Sequence, residues 1–486
     1  MGEPVEETKE TLGLVIIGHI DAGKSTLCGR LLVENGGIDK RTMSKLEKEA
    51  GDMGRSSFKY AFAMDLTKAE RSRGITITST VKCFETQSYK VTIVDAPGHK
   101  DFVKNMITGT CNADAAILVI DSTPGGFEAG ISSGGQTRQH AQLAFASGVS
   151  TLIVAINKLD SVNEGEQQER YDVIMKEIGN ILKNIGFFKT LNMVPYVPIS
   201  AFCGRNISEA STCFDWMPNW KYRISRKGED DIWKEGVTLL DAIDSVVKPP
   251  SPAGFDLRIC VTDAFKHPTA GVIASMAMRY GIAIVGMQLF MVPAAILTIL
   301  RSLELHNKAF NSLCSPNTAG MALKGVNLGD LKRGSMLGPI HNPPMFVKSF
   351  TARVVVMQHP TKIKDGYSPV VDYGTSHTAC KFRIIKVLKE SKLHQKMALD
   401  PEEVFLAPGD VAMVEFEPMA PLFIETSSDF PRLARFSVRD SGIVVAIGNC
   451  ETRLVHEMDA SSKKALEKAL NKGDKAATSK AKKAVE

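Results

Sequence analysis

The sequence lacks paired cysteines and a hydrophobic leader, and these absences limit its location and chemistry. Its nine cysteines include no C-x-x-C pair and no zinc spacing, so neither a disulfide framework nor a zinc site is predicted. Glu3, Glu6, Glu7 and Glu10 occupy an N-terminus that has neither the basic nor the apolar region of a signal peptide. We therefore expect a cytoplasmic protein.

The body of the chain also has no excess charge. The net charge is +5, but residues 461–486 hold eight Lys against Glu467, Asp474 and Glu486, a balance of +5 by themselves. The other residues sum to zero, so bulk charge is no argument for a polyanionic partner. With 486 residues, 44% of them hydrophobic, the chain is long enough for about three globular domains.

One apolar run is nearly long enough to span a bilayer. Residues 282–300 contain only Gln288 and Thr298 as polar side chains. Gly286 and Pro293 interrupt the run, which favours two buried strands around a turn over a membrane helix. We therefore expect no association with a membrane.

The pattern of predicted elements changes near residue 250. Before it, β-rich runs such as 91–94 and 152–156 alternate with helix-length segments, which predicts an α/β domain with a mostly parallel sheet. After the linker Pro-Pro-Ser-Pro at 249–252, short strands and turn glycines predict two all-β barrels. The expected boundaries are 12–245 for the α/β domain, 254–345 and 346–455 for the barrels, and 456–486 for a lysine-rich tail that is mobile or weakly helical.

Residues 18–25, Gly-His-Ile-Asp-Ala-Gly-Lys-Ser, fit the phosphate-binding pattern G-x-x-x-x-G-K-[ST] after an apolar run at 14–17. Glycines let backbone N–H groups point at one anion, Lys24 adds a positive charge, and the Ser25 hydroxyl can hold Mg²⁺. A nucleoside triphosphate is the predicted ligand. We expect it to be held by Gly18, His19, Asp21, Ala22, Gly23, Lys24, Ser25 and Thr26.

Further residues for phosphate and Mg²⁺ follow downstream. In Asp-Ala-Pro-Gly at 95–98, Asp95 can organise the Mg²⁺ shell through water and the Gly98 N–H can meet a γ-phosphate. Thr76 is placed to complete the Mg²⁺ coordination when a γ-phosphate is present and to release it afterwards, which would make 71–77 a switch segment. The alternative is a plain strand entry, since Ile and Thr favour β structure.

The residues predicted for the base end of the site are Asn157, Lys158 and Asp160, which follow the strand predicted at 152–156. Asp160 can accept the ring N–H and the exocyclic amine of guanine, which adenine cannot satisfy, and a buried unpaired carboxylate would reject ATP. Asn157 can brace the phosphate loop, and Lys158 can lie along the base. Ser200 and Ala201, with the adjoining Phe202, are assigned to a backbone N–H contact with the guanine carbonyl. Each motif alone is often a plain turn, but together and in this order they predict GTP and GDP.

At this level of detail the chain resembles the translational GTPases of the elongation factor Tu-like family. The resemblance rests on residues 36–42, 57–61, 73–77, 95–99, 101–110, 128–132 and 135–138. It covers nearly all of the chain, dense to residue 245, thin from 255 to 345 and moderate again to 450. It implies GTP-dependent delivery of aminoacyl-tRNA to the ribosomal A site, with hydrolysis stimulated by the ribosome. It also implies a guanine nucleotide exchange factor as a partner, and we expect a monomer.

The resemblance also implies roles in hydrolysis. His99 corresponds to the histidine that orients the attacking water, and Ile20 and Ile75 correspond to the apolar pair that restrains it. Thr76 belongs to the same catalytic group, and Asp21 corresponds to an acid of the phosphate loop. The structural alternative for His99 is a solvated turn residue.

The tRNA footprint is less sharply defined by the sequence. His306 could stack on the terminal adenosine, or it could be a partly buried strand histidine. Lys362, Lys364, His377 and Lys381 could contact phosphates, or they could be ordinary solvated side chains. Two other functions stay open. One is a termination or rescue GTPase carrying a release-factor-like protein, and the other is a non-hydrolysing scaffold that uses the lysine tail.

Overall fold

The computed structural model divides the chain into two compact units, Met1–Pro249 and Pro250–Glu486. The residues it describes are 9–54, 58–64, 70–71, 76, 80–98, 106, 110, 113–132, 135–146, 149, 151–185, 187, 193–211, 214–217, 219–224, 231–247, 254–267, 271–305, 308–315, 317–357, 359, 361–391, 393–394, 403–441, 443–458, 460, 463–464 and 466–467.

The first unit contains strands β1 (Glu10–Gly18), β2 (Thr80–Glu85), β3 (Tyr89–Asp95), β4 (Ala115–Asp121), β5 (Thr151–Asn157), β6 (Tyr196–Pro198), β7 (Trp220–Ile224) and β8 (Ile232–Gly236). One sheet has the order β2-β3-β1-β4-β5-β6, in which β2 pairs antiparallel with β3 and the other neighbours pair in parallel. All of β4 is buried, as expected for a central parallel strand covered on both faces. Strands β7 and β8 form a separate hairpin.

The helices of this unit are α1 (Lys24–Glu34), α2 (Lys40–Asp52), α3 (Gly126–Ile131), α4 (Gln136–Ala146), α5 (Gln167–Ile185) and α6 (Leu239–Asp244). Helix α5 buries Tyr171, Ile174, Ile178 and Leu182, whose spacing of three and four residues makes one apolar face. Helix α2 begins after Asp39, which accepts the Thr42 N–H at 2.8 Å as an N-cap. The parallel-rich sheet confirms the α/β class predicted for this part of the chain.

The second unit consists of β9 (Arg258–His267), β10 (Gly271–Tyr280), β11 (Ile282–Ile284), β12 (Gln288–Val292), β13 (Ile296–Leu305), β14 (Lys308–Phe310), β15 (Ser312–Cys314), β16 (Asn317–Lys324), β17 (Met336–Pro339), β18 (Val347–Val356), β19 (Val370–Tyr373), β20 (Ser376–Lys389), β21 (Val411–Pro418), β22 (Arg435–Asp440) and β23 (Ile443–Val455). The first sheet runs β12-β17-β9-β10-β16-β13-β14, and β12 also pairs with β13. The second sheet, β18-β21-β20-β19-β22-β23, is a closed barrel. The boundary expected between residues 345 and 346 lies between β17 and β18.

The apolar run at 282–300 forms strands, and the expectation of two strands is wrong in number. It contributes β11, β12 and the first half of β13, and β12 pairs with β13 around the turn that contains Pro293. Gly286, between β11 and β12, has a φ of 90°, a conformation outside the β region, so the two strands are separate. Within the described ranges, no helix is both long and apolar enough to cross a bilayer.

The predicted tail is only partly described. Leu466 is 6% exposed and belongs to the same hydrophobic cluster as the inward side chains of the closed barrel. Met458 packs against that cluster as well. This part of 456–486 therefore contributes apolar surface to the second unit, while 468–486 lie outside the described residues.

A buried ion pair in the second unit links β9 with the segment between β21 and β22. Arg258 in β9 donates its Nε to Glu425 Oε1 at 2.9 Å, and both side chains have no exposed surface. The Arg258 guanidinium also donates to Asn342 O at 2.9 Å and lies 4.5 Å from the centre of the Phe430 ring. The second oxygen of Glu425 meets Arg453. Glu425 thus faces both arginines, so removing its charge leaves two guanidinium groups without this carboxylate, and the side chain of Arg258 has no exposed surface.

We expect Glu425→Gln to lower the free energy of unfolding of the second unit by about 3–5 kcal/mol, because two arginines would then face a neutral amide. Urea unfolding followed by far-UV circular dichroism measures the loss. Tryptophan fluorescence gives an internal reference, since Trp216, Trp220 and Trp233 all lie in the first unit.

The control for this change is Glu417→Gln. Glu417 pairs with Lys381 at 3.6 Å, but both side chains are more than half exposed. Its loss should change the same free energy by less than about 0.5 kcal/mol. Equal effects of the two substitutions would contradict a stabilising role for the buried pair.

Candidate nucleotide-binding site

The phosphate loop lies between a strand end and a helix start. Strand β1 ends at Gly18 and α1 begins at Lys24, so the N-terminus of α1 opens onto the loop. Gly23 is the N-cap residue with φ 92°, a left-handed conformation that places successive N–H groups around one concavity. Asp21 also has a positive φ, 58°. This geometry suits an anion, because free N–H groups and the helix dipole both face it.

Lys24 contacts both the phosphate loop and the Asp-Ala-Pro-Gly turn at 95–98. Its side chain is 7% exposed, and its Nζ donates to His19 O at 2.5 Å. Gly98 lies against the same ammonium group, because a Cβ at that position would collide with Lys24 Nζ. Burial lowers the pKa of Lys24, while the negative charge of Asp95 acts in the opposite direction. The ammonium group is therefore placed between the loop and the Asp-Ala-Pro-Gly turn.

The side chains that the sequence assigns to Mg²⁺ lie together. Ser25 Oγ and Thr76 Oγ1 are 3.0 Å apart, and Asp95 at the end of β3 is fully buried. Burial raises the pKa of the Asp95 carboxyl to about 6, although Ser25 and the charge of Lys24 oppose the shift. Neither carboxylate oxygen of Asp95 accepts a hydrogen bond of normal geometry from a described residue. A buried carboxylate without such partners, beside two hydroxyls, fits the oxygen ligands that Mg²⁺ prefers.

Asn157 connects the phosphate loop with the loop after β6. Its Nδ2 donates to Ala22 O at 2.8 Å, and its Oδ1 accepts the Ala201 N–H at 2.9 Å. The side chain is 2% exposed, so neither hydrogen bond competes with bulk water. The two loops are therefore held in register by one amide.

The next residues of this motif face solvent more openly. Lys158 has a φ of 64°, and its Nζ lies 2.7 Å from an oxygen of the buried Asp121 at the end of β4. Asp160 is partly exposed, with the Cys203 Sγ 3.9 Å from its Oδ2. Motif reasoning named neither Asp121 nor Cys203, because each joins the site only through the fold.

The loop at 200–204 uses its backbone donors in an unexpected way. The Ser200 N–H donates to Arg205 O at 3.1 Å, and the Ala201 N–H is taken by Asn157. The N–H groups assigned to the guanine carbonyl are thus both engaged within the protein. No described residue accepts a hydrogen bond from the Phe202 N–H. The Phe202 side chain is 52% exposed.

Helix α4 adds a histidine that the motifs did not indicate. His140 has no exposed surface, and its Nδ1 accepts the Gly18 N–H at 3.2 Å. Burial, together with the nearby charge of Lys24, lowers the pKa of His140 to about 3, so the ring is neutral. On the same helix, Gln136 Oε1 accepts the Ile20 N–H at 3.4 Å. Both contacts fix the start of the phosphate loop, and only the packing of α4 against β1 reveals them.

Other assigned residues lie outside the site or outside the described ranges. His99, Ile75 and His306 belong to the latter group. Lys362 and Lys364 both contact Glu403, and the Lys364 Nζ is 2.6 Å from its Oε1. His377 contacts Asp372, and Lys381 lies 3.6 Å from Glu417. Each of these side chains has a carboxylate partner, but Lys364 and Lys381 are more than half exposed, so the solvated alternative stays open.

Comparison with known families agrees with the geometry of both units. The model of the Elongation factor Tu GTP binding domain matches residues 9–249, and the model of the GTP-eEF1A C-terminal domain-like family matches residues 349–451. The phosphate loop, the buried Asp95 and the Asn157 bridge lie within the first match. They define a GTP-binding protein of the translational GTPase class, which confirms the enzyme class predicted from the motifs.

Relatives that match most of the chain identify the family within the translational GTPases. Two Xenopus laevis proteins, each named Elongation factor 1-alpha, oocyte form, are similar over most of their length. One is 44% identical over 438 residues, 90% of this chain and 93% of that protein. The other is 43% identical over 465 residues, 96% of this chain and 98% of that protein. The chain belongs to the elongation factor 1-alpha family of GTPases.

Solved structures support the fold. The GTPase-like domain of Saccharomyces cerevisiae Ski7, bound to GDP and inorganic phosphate, aligns with a TM-score of 0.70 at 17% identity, covering 91% of this chain and 97% of that one. The elongation factor SelB of Methanococcus maripaludis aligns with a TM-score of 0.61 at 18% identity, covering 92% and 80%. At these identities the likeness extends to architecture alone.

The neutral His140 predicts a pH dependence. Its pKa is lowered to about 3 in the folded protein from an ordinary 6.5, so the unfolded chain binds more protons below pH 6.5 and stability falls as the pH drops. At pH 5 this group alone should lower the free energy of unfolding by about 2 kcal/mol relative to pH 8. His140→Asn keeps an acceptor near the Nδ1 position and cannot titrate.

We expect urea unfolding of the first unit, followed by tryptophan fluorescence at pH 5 and pH 8, to show this difference in the wild type and a smaller one in His140→Asn. Identical pH dependence of the two proteins would mean that His140 is charged or solvated in the fold.

Proposed function

We propose that this protein delivers aminoacyl-tRNA to the ribosomal A site in a GTP-dependent manner and is released after ribosome-stimulated hydrolysis. The observation that carries the proposal is the contact between Ser25 and Thr76, whose hydroxyl oxygens are 3.0 Å apart beside Asp95. Thr76 lies in the segment expected to sense the γ-phosphate, so the ligand state can change the conformation of that segment. The relatives named Elongation factor 1-alpha support the same role.

In this proposal Ser25, Thr76 and Asp95 hold Mg²⁺. The ion would neutralise charge on the phosphate oxygens. Ser25 and Thr76 offer hydroxyl oxygens, and Asp95 offers a carboxylate whose buried charge needs a cation. Lys24 supplies a second positive charge that interacts with Asp95 and lies against Gly98. The protein groups thus prepare a fixed electrostatic environment, the main source of catalysis in phosphoryl transfer.

Hydrolysis would depend on His99, with Ile20 and Ile75 as the apolar residues that restrain it until the ribosome is engaged. These roles come from the sequence resemblance. The structure adds the hydrogen bond from the Ile20 N–H to Gln136, which supports the backbone at one side of this proposed gate. A rigid Ile20 would make opening depend on the Ile75 side.

The proposed partners are aminoacyl-tRNA, the ribosome and a guanine nucleotide exchange factor, with the protein acting as a cytoplasmic monomer. The lysines proposed for tRNA already hold carboxylates. Lys362 and Lys364 share Glu403, and this pairing holds the pKa of Glu403 below its usual value. RNA phosphates would have to displace Glu403, so the contribution of each lysine to affinity should be modest.

The direct test is a salt titration of tRNA binding with GTP bound and then with GDP bound. We expect charged tRNA to bind more tightly than uncharged tRNA in the GTP state only, with the affinity falling linearly on a logarithmic salt scale. Equal binding in both nucleotide states would refute delivery. Tight binding of a release-factor-like protein without any GTP-dependent tRNA binding would instead identify a termination or rescue GTPase.

Base recognition gives a second test. Asp160→Asn should reverse the hydrogen-bonding pattern offered to the base, because the amide donates where the carboxylate accepts. We expect GDP affinity to fall by about 100-fold or more and xanthosine diphosphate affinity to rise, as measured by calorimetry. Asp231→Asn on the β7–β8 hairpin is the matched control and should change neither affinity. Unchanged preference for guanine in the Asp160 variant would exclude this residue from the base site.

A further inference from the structure

Arg30 lies on α1, two turns beyond the phosphate loop, and reaches the loop assigned to guanine. Its Nη2 donates to Phe202 O at 2.9 Å and its Nε to Ala201 O at 3.4 Å. Its Nη1 donates to the Tyr60 hydroxyl at 2.7 Å. One guanidinium therefore spans two consecutive carbonyl groups of the loop and a buried tyrosine, a pattern for which its planar fork of donors is suited.

The head group is held in place on several sides. The Arg30 Cζ lies 4.4 Å from the centre of the Tyr60 ring, and Tyr60 is 8% exposed. Glu34, one turn further along α1, lies 3.4 Å from the Arg30 Nε and accepts the Ser208 hydroxyl at 2.6 Å. Gly204, with φ 78°, passes so close that a Cβ there would collide with the guanidinium. Each contact restricts the rotamer of Arg30, so little entropy is left to lose.

The contact of Arg30 with the Ala201 carbonyl also fixes the direction of the Phe202 N–H. The carbonyl of Ala201 and the N–H of Phe202 belong to one planar trans peptide, in which they point in opposite directions. When Arg30 binds the Ala201 oxygen, the Phe202 N–H is turned away from α1. The Ser200 and Ala201 N–H groups are already engaged, and no described residue accepts from Phe202. That donor is the one left to meet a ligand.

We propose that Arg30 is a positioning residue for base recognition, holding the loop so that the Phe202 N–H meets the guanine carbonyl. The inference rests on the proposed assignment of this loop to guanine and changes which donor acts there. Arg30 itself does not touch the base. Its effect passes through the orientation of one peptide plane, anchored by Tyr60.

The experiment compares three nucleotides by calorimetry on the full chain. 6-Thio-GDP differs from GDP only in the atom that the Phe202 N–H would meet, and inosine diphosphate lacks only the amine assigned to Asp160. We expect Arg30→Met to reduce the preference for GDP over 6-thio-GDP by about tenfold, the value of one hydrogen bond. The preference for GDP over inosine diphosphate should stay unchanged, which a general loosening of the fold would not allow.

Two further variants complete the design. Arg30→Lys keeps the charge near Glu34 without the fork and should lose the 6-thio-GDP discrimination as well. Tyr60→Phe keeps the ring beneath the guanidinium, removes one anchor and should give a smaller loss in the same ratio, even if Arg30→Met does not fold. Arg223→Met is the control, since Arg223 pairs with Asp231 across the β7–β8 hairpin at 2.9 Å.

The outcomes separate the inference from the proposed function. Full retention of the GDP to 6-thio-GDP preference in the Arg30 variants would overturn the positioning role. An equal loss of affinity for all three nucleotides would also overturn it, because the effect would then be general. No preference for GDP over 6-thio-GDP in the wild type would instead refute the assignment of the 200–204 loop to guanine.

Discussion

The buried amide of Asn157 is the interaction on which the candidate site depends. Its two polar atoms each hold one loop, the nitrogen the phosphate loop at Ala22 and the oxygen the 200–204 loop at Ala201. With 2% of its surface exposed, the side chain cannot exchange either bond for water, so separating the loops would leave buried polar groups unpaired. The phosphate and base ends of the site are thus positioned relative to each other by one residue at the end of β5. The contacts of Arg30 extend this constraint from the amide to the next peptide of the same loop.

At the phosphate end of the site, a buried charge lacks the hydrogen bonds that the Asn157 amide has. Asp95 is buried without hydrogen bonds of normal geometry from the described residues, and burial raises the pKa of its carboxyl to about 6. Such a group is unfavourable in the empty protein and becomes favourable when a cation approaches, which suits a site that must respond to its ligand. Asn157 holds two loops in fixed positions, whereas the energy of the buried Asp95 carboxylate depends on whether a cation is near.

The second unit shows how a divergent sequence retains the architecture. The backbone groups of its apolar run at 282–300 form hydrogen bonds in β11, β12 and β13 instead of in a helix. Buried side chains of the run belong to one hydrophobic cluster with those of the first sheet. The Arg258–Glu425 pair then connects that sheet to the closed barrel with no exposed surface on either side chain. A displaced arrangement of this sheet and the barrel would leave a charge buried alone, so the pair disfavours such arrangements.

Hydrophobic periodicity and short glycine-containing loops are local properties, so the α/β class, the β-rich second half and the order of the nucleotide motifs follow from the amino-acid sequence. It placed Lys24 in the phosphate loop and Asp95 and Asn157 after strands, and in the structure Lys24 begins α1, Asp95 ends β3 and Asn157 ends β5. The groups that those residues contact depend on how the elements pack. His140, Gln136 and Asp121 reach the site from elements distant from the motifs in sequence, and Arg30 on α1 reaches the distant 200–204 loop. The engagement of the Ala201 N–H by Asn157 depends on two loops packing together. The three strands at 282–300 pair with β15, β17 and β16, which follow the run in the chain, and the hydrophobicity of the run alone does not fix where a strand ends.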